Sequence, residues 1–331
     1  MDLSTTYLGM KLEHPLMPGA SPLVDDMDQI RKLEDAGAAA IVLHSLFEEQ
    51  LHDEEFAAFH SMDGSTHSHV EAHSYFPETD VFALGPDEYL EKVRSIKDAV
   101  SCPVIASLNG ATSGGWLEYA GLIQDAGADA LELNVYHLPV DPEESGADVE
   151  ARVIDIARRV REAIRIPIAV KLSPFFSSIP NLSRRLSDVG VDGLVLFNRF
   201  YEPDIDAERL EVSPILHLSD SSELLLRLRW LAILSGRIDA SLALSGGVHS
   251  PPDVVKGVMA GAHAVQVVSA LLRGGAQTLA ILREGLREWL DTHEYESLAQ
   301  AQGSMGIDRC PDPHAYTRGN YIKILQSWRV H

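Results

Sequence analysis

The sequence "QDAGADALEL" at residues 124–133 contains the end of a helical pattern, a glycine and then an apolar run. The same order occurs in "EDAGAAAIVL" at 34–43, "SDVGVDGLVL" at 187–196 and "MAGAHAVQVV" at 259–268. A glycine just past a helix ends it in left-handed geometry, and a short apolar run after it is typical of a buried parallel strand. These segments therefore predict repeated helix–strand joints.

Eight short apolar runs are spaced so that helices fit between them. The predicted strands are residues 15–20, 39–45, 103–108, 130–136, 167–172, 193–198, 241–245 and 264–270. The predicted helices are residues 27–36, 86–100, 115–126, 149–164, 179–189, 222–235 and 252–260, with a last helix at 317–327. Eight such units favour an α/β fold of the closed (β/α)8 type, the TIM barrel, over an open doubly wound sheet.

We predict one domain over residues 1–331, with long insertions at about 48–84 and 199–220. Both insertions follow the carboxyl end of a strand, which is where barrels of this type carry functional loops. The first insertion contains five histidines whose spacing matches no metal site that we can name: His52, His60, His67, His69 and His73. No metal is therefore predicted.

Composition narrows the class of function. The formal net charge is −22 at pH 7, which argues against a nucleic-acid partner because such binding needs a basic face. No run approaches the length of a membrane span, and the two cysteines, Cys102 and Cys310, have no disulfide or cluster spacing. We expect a cytoplasmic protein that acts on a small molecule.

Polar residues at the carboxyl ends of apolar strands are the first site candidates, because burying them elsewhere would be costly. Lys171 follows the apolar run "IPIAV", where its charge needs a partner or a developing negative charge. Asn134 and Asn198 end two other strands, and their amides are suited to hydrogen-bond a planar heterocycle. Ordinary strand ends are the alternative for all three residues.

A second group of candidates points to an anion. Ser245, Gly246 and Gly247 end the seventh strand just before a helix, so backbone N–H groups there can approach a phosphate. Ser269, which we place at the end of the eighth strand, would complete this site. Phosphate groups often bind after strands seven and eight of such barrels.

The remaining candidates lie at the ends of strands one, two and four. Ala20 and Ser21 are small enough to admit a flat ring, and His44 and Ser45 lie where they can contact a substrate. Tyr136 and His137 directly follow Asn134 and are the predicted acid–base groups.

At these residues the chain resembles the class 1 dihydroorotate dehydrogenases and related proteins over most of its length. The resemblance rests on five motifs in order: "HPLMPGAS" (14–21), "GADALELN" (127–134), "IPIAVKLSP" (166–174), "LALSGGV" (242–248) and "GAHAVQVVSAL" (261–271). It implies FMN at the carboxyl face of the barrel. Ala20 and Ser21 would lie beside the isoalloxazine, Asn134 and Lys171 would contact it, and Ser245, Gly246, Gly247 and Ser269 would hold the phosphate.

The chain departs from this family on the substrate side. Members that oxidise dihydroorotate carry a cysteine motif, or a serine elsewhere, as the base. This chain reads "NVYHLP", with His137 where the cysteine would stand, and His44 replaces a family lysine. We therefore expect an FMN oxidoreductase that moves a hydride between flavin and dihydroorotate or a related metabolite. His137 or Tyr136 would exchange the proton, Lys171 would balance charge, and Asn134 and Asn198 would orient the substrate.

Two other functions fit the same residues. One is a flavin-free lyase or isomerase that binds a substrate phosphate and uses Lys171 as an amine nucleophile. The other is a non-catalytic flavin-binding protein. A homodimer and a separate electron-transfer partner are the protein partners that the resemblance suggests.

Overall fold

The computed structural model of the protein describes residues 1–47, 85–110, 116–199, 202–213 and 216–327. The predicted insertion at 48–84, with its five histidines, lies outside the described residues. The strands are β1 Thr5–Tyr7, β2 Met10–Leu12, β3 Leu16–Pro18, β4 Ile41–Phe47, β5 Val104–Gly110, β6 Ala130–Val135, β7 Ile168–Leu172, β8 Gly193–Leu196, β9 Asp204–Asp206, β10 Glu211–Ser213, β11 Ser241–Ser245 and β12 Ala264–Val267.

Eight of these strands form a parallel sheet in the order β3, β12, β11, β8, β7, β6, β5, β4. The two outer strands of this order meet where the backbone N–H of Ala39 donates to the Leu16 carbonyl at 3.0 Å. The sheet thus curls almost fully into a barrel surrounded by helices. The predicted TIM barrel is confirmed, and each of the eight predicted strands coincides with one strand of this sheet.

Helices follow the strands around the outside of the barrel. They are α1 Met27–Asp35, α2 Pro86–Ala99, α3 Trp116–Asp125, α4 Gly146–Ala163, α5 Ile179–Asp188, α6 Leu224–Leu234, α7 Pro251–Ala260, α8 Ser269–Gly274, α9 Gln277–Thr292, α10 Leu298–Ala301 and α11 Arg318–Ser327. Every predicted helix is present. Helix α4 begins three residues earlier than expected because Ser145 and Asp148 form a capping box at its start.

Several elements were not predicted from the sequence: helices α8, α9 and α10, and strands β1, β2, β9 and β10. Helix α9 buries Leu279, Leu282, Leu286 and Leu290, whose spacing of three and four residues is an amphipathic helical pattern. The antiparallel pair β1–β2 was also missed. A further short pair, β9–β10, lies within the predicted insertion at 199–220.

Side chains at the helix–strand joints fix the neighbouring strands at the amino-terminal end of the barrel. Asp129 and Asp192 each lie two residues after a joint glycine, and their carboxylates accept the N–H groups of Val104 and Ile168. The His263 ring accepts the N–H of Leu242 in the same way. Each of these side chains therefore satisfies a backbone donor at the start of the adjacent strand.

The β1–β2 pair closes the amino-terminal end of the barrel. Tyr7, Leu8 and Leu12 pack against small inward-facing side chains of the sheet: Ala130, Ala169, Ala243 and Ala264. A Cβ at Gly193 would lie 2.4 Å from Leu8 Cδ2, so the pair fits only because the side chains facing it are small. Packed apolar side chains therefore fill the amino-terminal half of the barrel interior, below the carboxyl end.

The first testable prediction concerns His14, which is 4% exposed and accepts the Leu16 N–H at its Nδ1 atom. Burial, helped by the charge of Arg283, lowers the pKa of His14 to about 4. The unfolded chain takes up this proton near the ordinary histidine pKa, whereas the folded chain does not. We expect this residue to reduce the free energy of unfolding by about 3 kcal/mol as the pH falls from about 6.5 to about 4.

Urea unfolding at several pH values checks this expectation. The variant His14→Asn keeps an acceptor in place of Nδ1 but does not titrate, so it should lose less stability with falling pH than the wild type. Identical pH dependence in the two proteins would show that His14 is not responsible.

Candidate functional site

A cavity of about 570 Å³ opens at the carboxyl end of the barrel, in the size range of small-molecule sites. Each of the eight barrel strands, or the loop directly after it, contributes to its wall. Twelve of the predicted site residues line it: Ala20, Ser21, His44, Ser45, Asn134, Tyr136, Lys171, Asn198, Ser245, Gly246, Gly247 and Ser269. The fold therefore brings these candidates together in one place.

His137 is the one predicted site residue that does not line this cavity. Its Nε2 atom lies 3.0 Å from Glu144 Oε2, and Arg152 binds the other carboxylate oxygen of Glu144. Hydrogen bonding from His137 in particular lowers the pKa of Glu144. The structure thus places His137 in an ion cluster formed by the loop before α4 and the first turns of that helix, although its neighbour Tyr136 lines the cavity.

A buried network of Lys171, Glu132 and Gln266 forms the polar floor of the cavity. Lys171 Nζ lies 3.2 Å from Glu132 Oε1 and 3.5 Å from Gln266 Oε1, and Gln266 Nε2 donates to Glu132 Oε2 at 2.5 Å. Glu132 and Gln266 are each 1% exposed. The charge of Lys171 therefore has a buried partner, as predicted from its position after an apolar strand.

The sequence contains an unused signal for Glu132. In β6, Ala130, Glu132 and Asn134 alternate with leucines, so all three point into the barrel. Gln266 follows from the same alternation in β12. Neither residue was predicted, because each lies inside an apolar strand rather than at its end.

The two predicted amides hydrogen-bond each other above this floor. Asn198 Nδ2 donates to Asn134 Oδ1 at 2.7 Å. Each side chain keeps a further amide group for a ligand, since an amide has two N–H donors and one carbonyl oxygen. The pair therefore presents pre-oriented donors and acceptors to the cavity.

The glycine loop after β11 passes unusually close to helix α6. Gly247 has φ of 80°, and a Cβ there would lie 2.5 Å from the backbone nitrogen of Leu224. Arg227, which was not predicted from the sequence, donates from Nε to the Ser245 carbonyl at 2.8 Å and lies against Gly246. Glycine and this arginine together shape the loop that we predicted to bind a phosphate.

Ser269 lies beside that loop, but our prediction of its local structure was wrong. Strand β12 ends at Val267, and Ser269 is the first residue of helix α8. Its hydroxyl accepts the backbone N–H and the hydroxyl of Ser219, at 3.1 and 2.9 Å. Ser219 therefore joins this end of the cavity, which no sequence pattern indicated.

Ser21 supplies an unsatisfied polar group at the cavity wall. It is 4% exposed, and its hydroxyl has no hydrogen-bond partner among the described residues. A buried hydroxyl without a partner is costly. A ligand with polar ring atoms would remove that cost.

His44 reaches the cavity from β4 and is bound by a carboxylate on its outer side. Its Nδ1 atom lies 3.1 Å from Asp25 Oδ2, and Lys92 Nζ donates to Asp25 Oδ1 at 2.7 Å. Burial opposes the charge on Asp25, but hydrogen bonds from His44 and Lys92 outweigh it, and the pKa of Asp25 is lowered. Asp25 therefore stays ionised at neutral pH.

Two other kinds of feature are not found in the part of the chain that the structure describes. There, no group of three or more His, Cys, Asp or Glu side chains is arranged to hold a metal ion. No helix there has the length and apolar character needed to cross a membrane.

Known protein families and curated proteins include clear relatives of this chain. The family model described as dihydroorotate dehydrogenase matches residues 81–290, which is more than half of the chain. The catalytic subunit of dihydroorotate dehydrogenase B (NAD(+)) from Thermoplasma volcanium is 26% identical over 311 residues, covering 91% of this chain and 98% of that protein. The NAD-dependent dihydropyrimidine dehydrogenase subunit PreA of Escherichia coli K12 is 23% identical over 320 residues, covering 91% and 76% respectively.

The family match extends over most of the barrel strands and over the lysine, amide and glycine segments that line the cavity. The two relatives cover nearly the whole chain. The protein is therefore a member of the dihydroorotate dehydrogenase family, and it is an oxidoreductase of that family.

Proposed function

We propose that the protein binds FMN in the cavity and transfers a hydride between this flavin and a small dihydropyrimidine-like metabolite. One observation carries this proposal: a single cavity is lined both by a glycine loop and by Lys171 with the hydrogen-bonded amides of Asn134 and Asn198. Such a cavity suits a ligand that is a planar heterocycle with a phosphate at its far end.

The residues fit FMN in chemical detail. Gly246 and Gly247 let the loop pass close to Arg227 and to the backbone at Leu224, and Ser245 and Ser269 line the cavity beside them. An anion bound here would meet backbone N–H groups and the Arg227 side of the loop. The unpartnered hydroxyl of Ser21 and the small side chain of Ala20 suit the edge of a flat ring. FMN supplies the hydride chemistry when it is bound, and Lys171 balances the charge that develops.

The substrate would bind beside the amide pair Asn134 and Asn198, with His44 and Ser45 on the opposite wall. A dihydropyrimidine fits this lining because its ring carries alternating N–H and C=O groups that amides can recognise. Of the two predicted proton-exchange groups, only Tyr136 lies at the cavity. The relatives named above act on dihydroorotate or on dihydropyrimidines, which supports this substrate class.

A separate protein partner is part of the proposal. The two relatives are each named as a subunit, and both names include NAD. We infer that a partner subunit carries electrons between the bound flavin and a nicotinamide. Association of two copies of this chain stays a prediction.

The first test is the absorbance spectrum of the purified protein, before and after incubation with FMN. We expect an oxidised-flavin spectrum, release of FMN on denaturation, and anaerobic bleaching by dihydroorotate or dihydrouracil. A colourless protein that takes up no FMN would overturn the proposal. Trapping of a Lys171 adduct with borohydride would then support the lyase or isomerase alternative.

A second prediction tests whether the glycine loop holds FMN. It compares two Gly→Ala changes at similar positive φ, of which only one brings the new Cβ against another part of the chain. We expect Gly247→Ala to abolish FMN retention, because its Cβ would displace the backbone at Leu224. Gly236→Ala is the matched control, since Gly236 has a similar φ of 74° but no atom within 4 Å of the added Cβ. The control should lose about 1 kcal/mol of stability and keep its flavin.

Flavin content after gel filtration and urea unfolding of both proteins give the answer. Equal flavin content in Gly247→Ala and in the control would remove the glycine loop from the proposed phosphate site.

A third prediction concerns the Lys171–Glu132 pair. Lys171→Gln leaves the Glu132 carboxylate buried without its cation, so we expect the free energy of unfolding to fall by about 3 kcal/mol or more. The double variant Lys171→Gln with Glu132→Gln should recover much of this loss, because two neutral amides can hydrogen-bond each other and Gln266.

Urea unfolding of the flavin-free proteins at pH 7 measures the coupling. If the losses of the two single variants simply add in the double variant, Lys171 and Glu132 do not interact as described.

A further inference from the structure

We propose that His44 is the group that exchanges a proton with the substrate, with Asp25 and Lys92 as its positioning residues. This inference rests on the proposed function, and it gives the proton-exchange role to a residue on a different strand from Tyr136. Three features support it: the backbone around His44, the state of its ring and the charges that surround it.

A β-bulge directs His44 to the cavity. Val42 pairs with Ile105, and Ser45 pairs with Ser107. Between these two pairs, β4 therefore contains one more residue than β5. Ser45 and Ser107 face each other inside the barrel, with their hydroxyl oxygens 2.7 Å apart. The extra residue changes the direction of His44, as bulges beside active sites commonly do.

Asp25 fixes the proton on one nitrogen of the His44 ring. Because an ionised carboxylate can only accept hydrogen bonds, Nδ1 must carry the proton that faces Asp25 Oδ2. In the neutral ring, Nε2 is then the basic nitrogen. Among the described residues, Nε2 has no hydrogen-bond partner, and the side chain remains 37% exposed beside the cavity.

Lys92 fixes Asp25 in turn. Its side chain is 13% exposed, and it binds the carboxylate oxygen that His44 does not use. The arrangement is the general one of an acid–base residue oriented by a third group. Asp25 would also stabilise the imidazolium that forms when Nε2 takes a proton.

The other groups around His44 do not compete for this role. The ring edge of Phe47 faces it at 6.3 Å between centroids. The nearby phenol of Tyr89 donates to the Ser107 carbonyl, and burial raises its pKa well above the ordinary value. Within the described residues, Asp25 is the charged group that binds His44, and Lys92 binds Asp25.

In the oxidative direction, His44 acts as the base for a CH–CH unit of the substrate. Nε2 of the neutral ring would take a proton from one carbon, and FMN, when bound, would supply the acceptor for the hydride of the adjacent carbon. A C=C bond forms, and His44 becomes an imidazolium that returns its proton to water.

Nitrogen NMR of ¹⁵N-labelled protein as purified tests the ring state without any substrate. We expect the neutral ring of His44 to hold its proton on Nδ1, and His44→Asn identifies its signals by their loss. Asp25→Asn should shift the ring toward the Nε2–H form. A His44 ring that carries its proton on Nε2, or stays doubly protonated throughout the neutral pH range, overturns the proposal.

Anaerobic flavin reduction by dihydroorotate and by dihydrouracil tests the role itself. His44→Asn keeps an N–H for Asp25 but lacks Nε2, so we expect reduction at least about 100-fold slower at unchanged flavin content. His293→Asn, at an exposed histidine that hydrogen-bonds the Trp289 carbonyl, is the matched control and should reduce normally.

Different results would overturn FMN binding and the role of His44. A protein without flavin overturns the proposed function, whereas the NMR result on His44 stands independently. Normal reduction in His44→Asn overturns the role of His44. If Tyr136→Phe loses flavin reduction while His44→Asn keeps it, Tyr136 has the role instead. The flavin proposal stays intact in both cases.

Discussion

The ion pair of Lys171 and Glu132 sets the main constraint on this barrel. Both groups lie inside the sheet, where a charge without a partner would cost several kcal/mol. The pair therefore requires neighbouring strands β6 and β7 to hold a fixed register, and it requires Gln266 from the far side of the barrel to satisfy Glu132. Three strands are positioned by this one network.

The packing below the Lys171–Glu132 pair keeps both charged groups buried. The β1–β2 pair fills the amino-terminal end with Tyr7 and Leu8, against alanines that would otherwise leave a void. Water is thus kept from the underside of Glu132, and burial together with the charge of Glu132 raises the pKa of Tyr7. The cavity at the carboxyl end reaches this layer, since Lys171 and Gln266 line it.

Much of this arrangement follows from local sequence. The joint glycines predicted the order of helices and strands because the left-handed geometry they provide is a short-range requirement. Lys171, Asn134 and Asn198 were predicted because strand ends of a parallel barrel converge on one face. Twelve of the thirteen candidate residues line the cavity.

Some of the missed features have a local pattern that was not used, such as the alternation that points Glu132 inward in β6. Others depend on contacts between distant segments. Nothing near Ser219 shows that it will meet Ser269, fifty residues away. His137 could not be placed from sequence, since it pairs with Glu144 in the loop that follows, and Glu144 in turn binds Arg152 of helix α4.

The bulge in β4 changes which side chains of this strand face the barrel interior. Strand alternation alone does not predict this change, and it affects a proposed site residue. Regular alternation would send His44 and Ser45 to opposite faces, yet Ser45 points inward beside Ser107 and His44 still lines the cavity. The resemblance places His44 where the family has a lysine, and "NVYHLP" contains no cysteine. If His44 exchanges the proton as we propose, a histidine held by a carboxylate would supply the proton transfer for which "NVYHLP" offers no cysteine. The two departures from the family pattern would then compensate each other, with the proposed proton-transfer group on the second barrel strand instead of after the fourth.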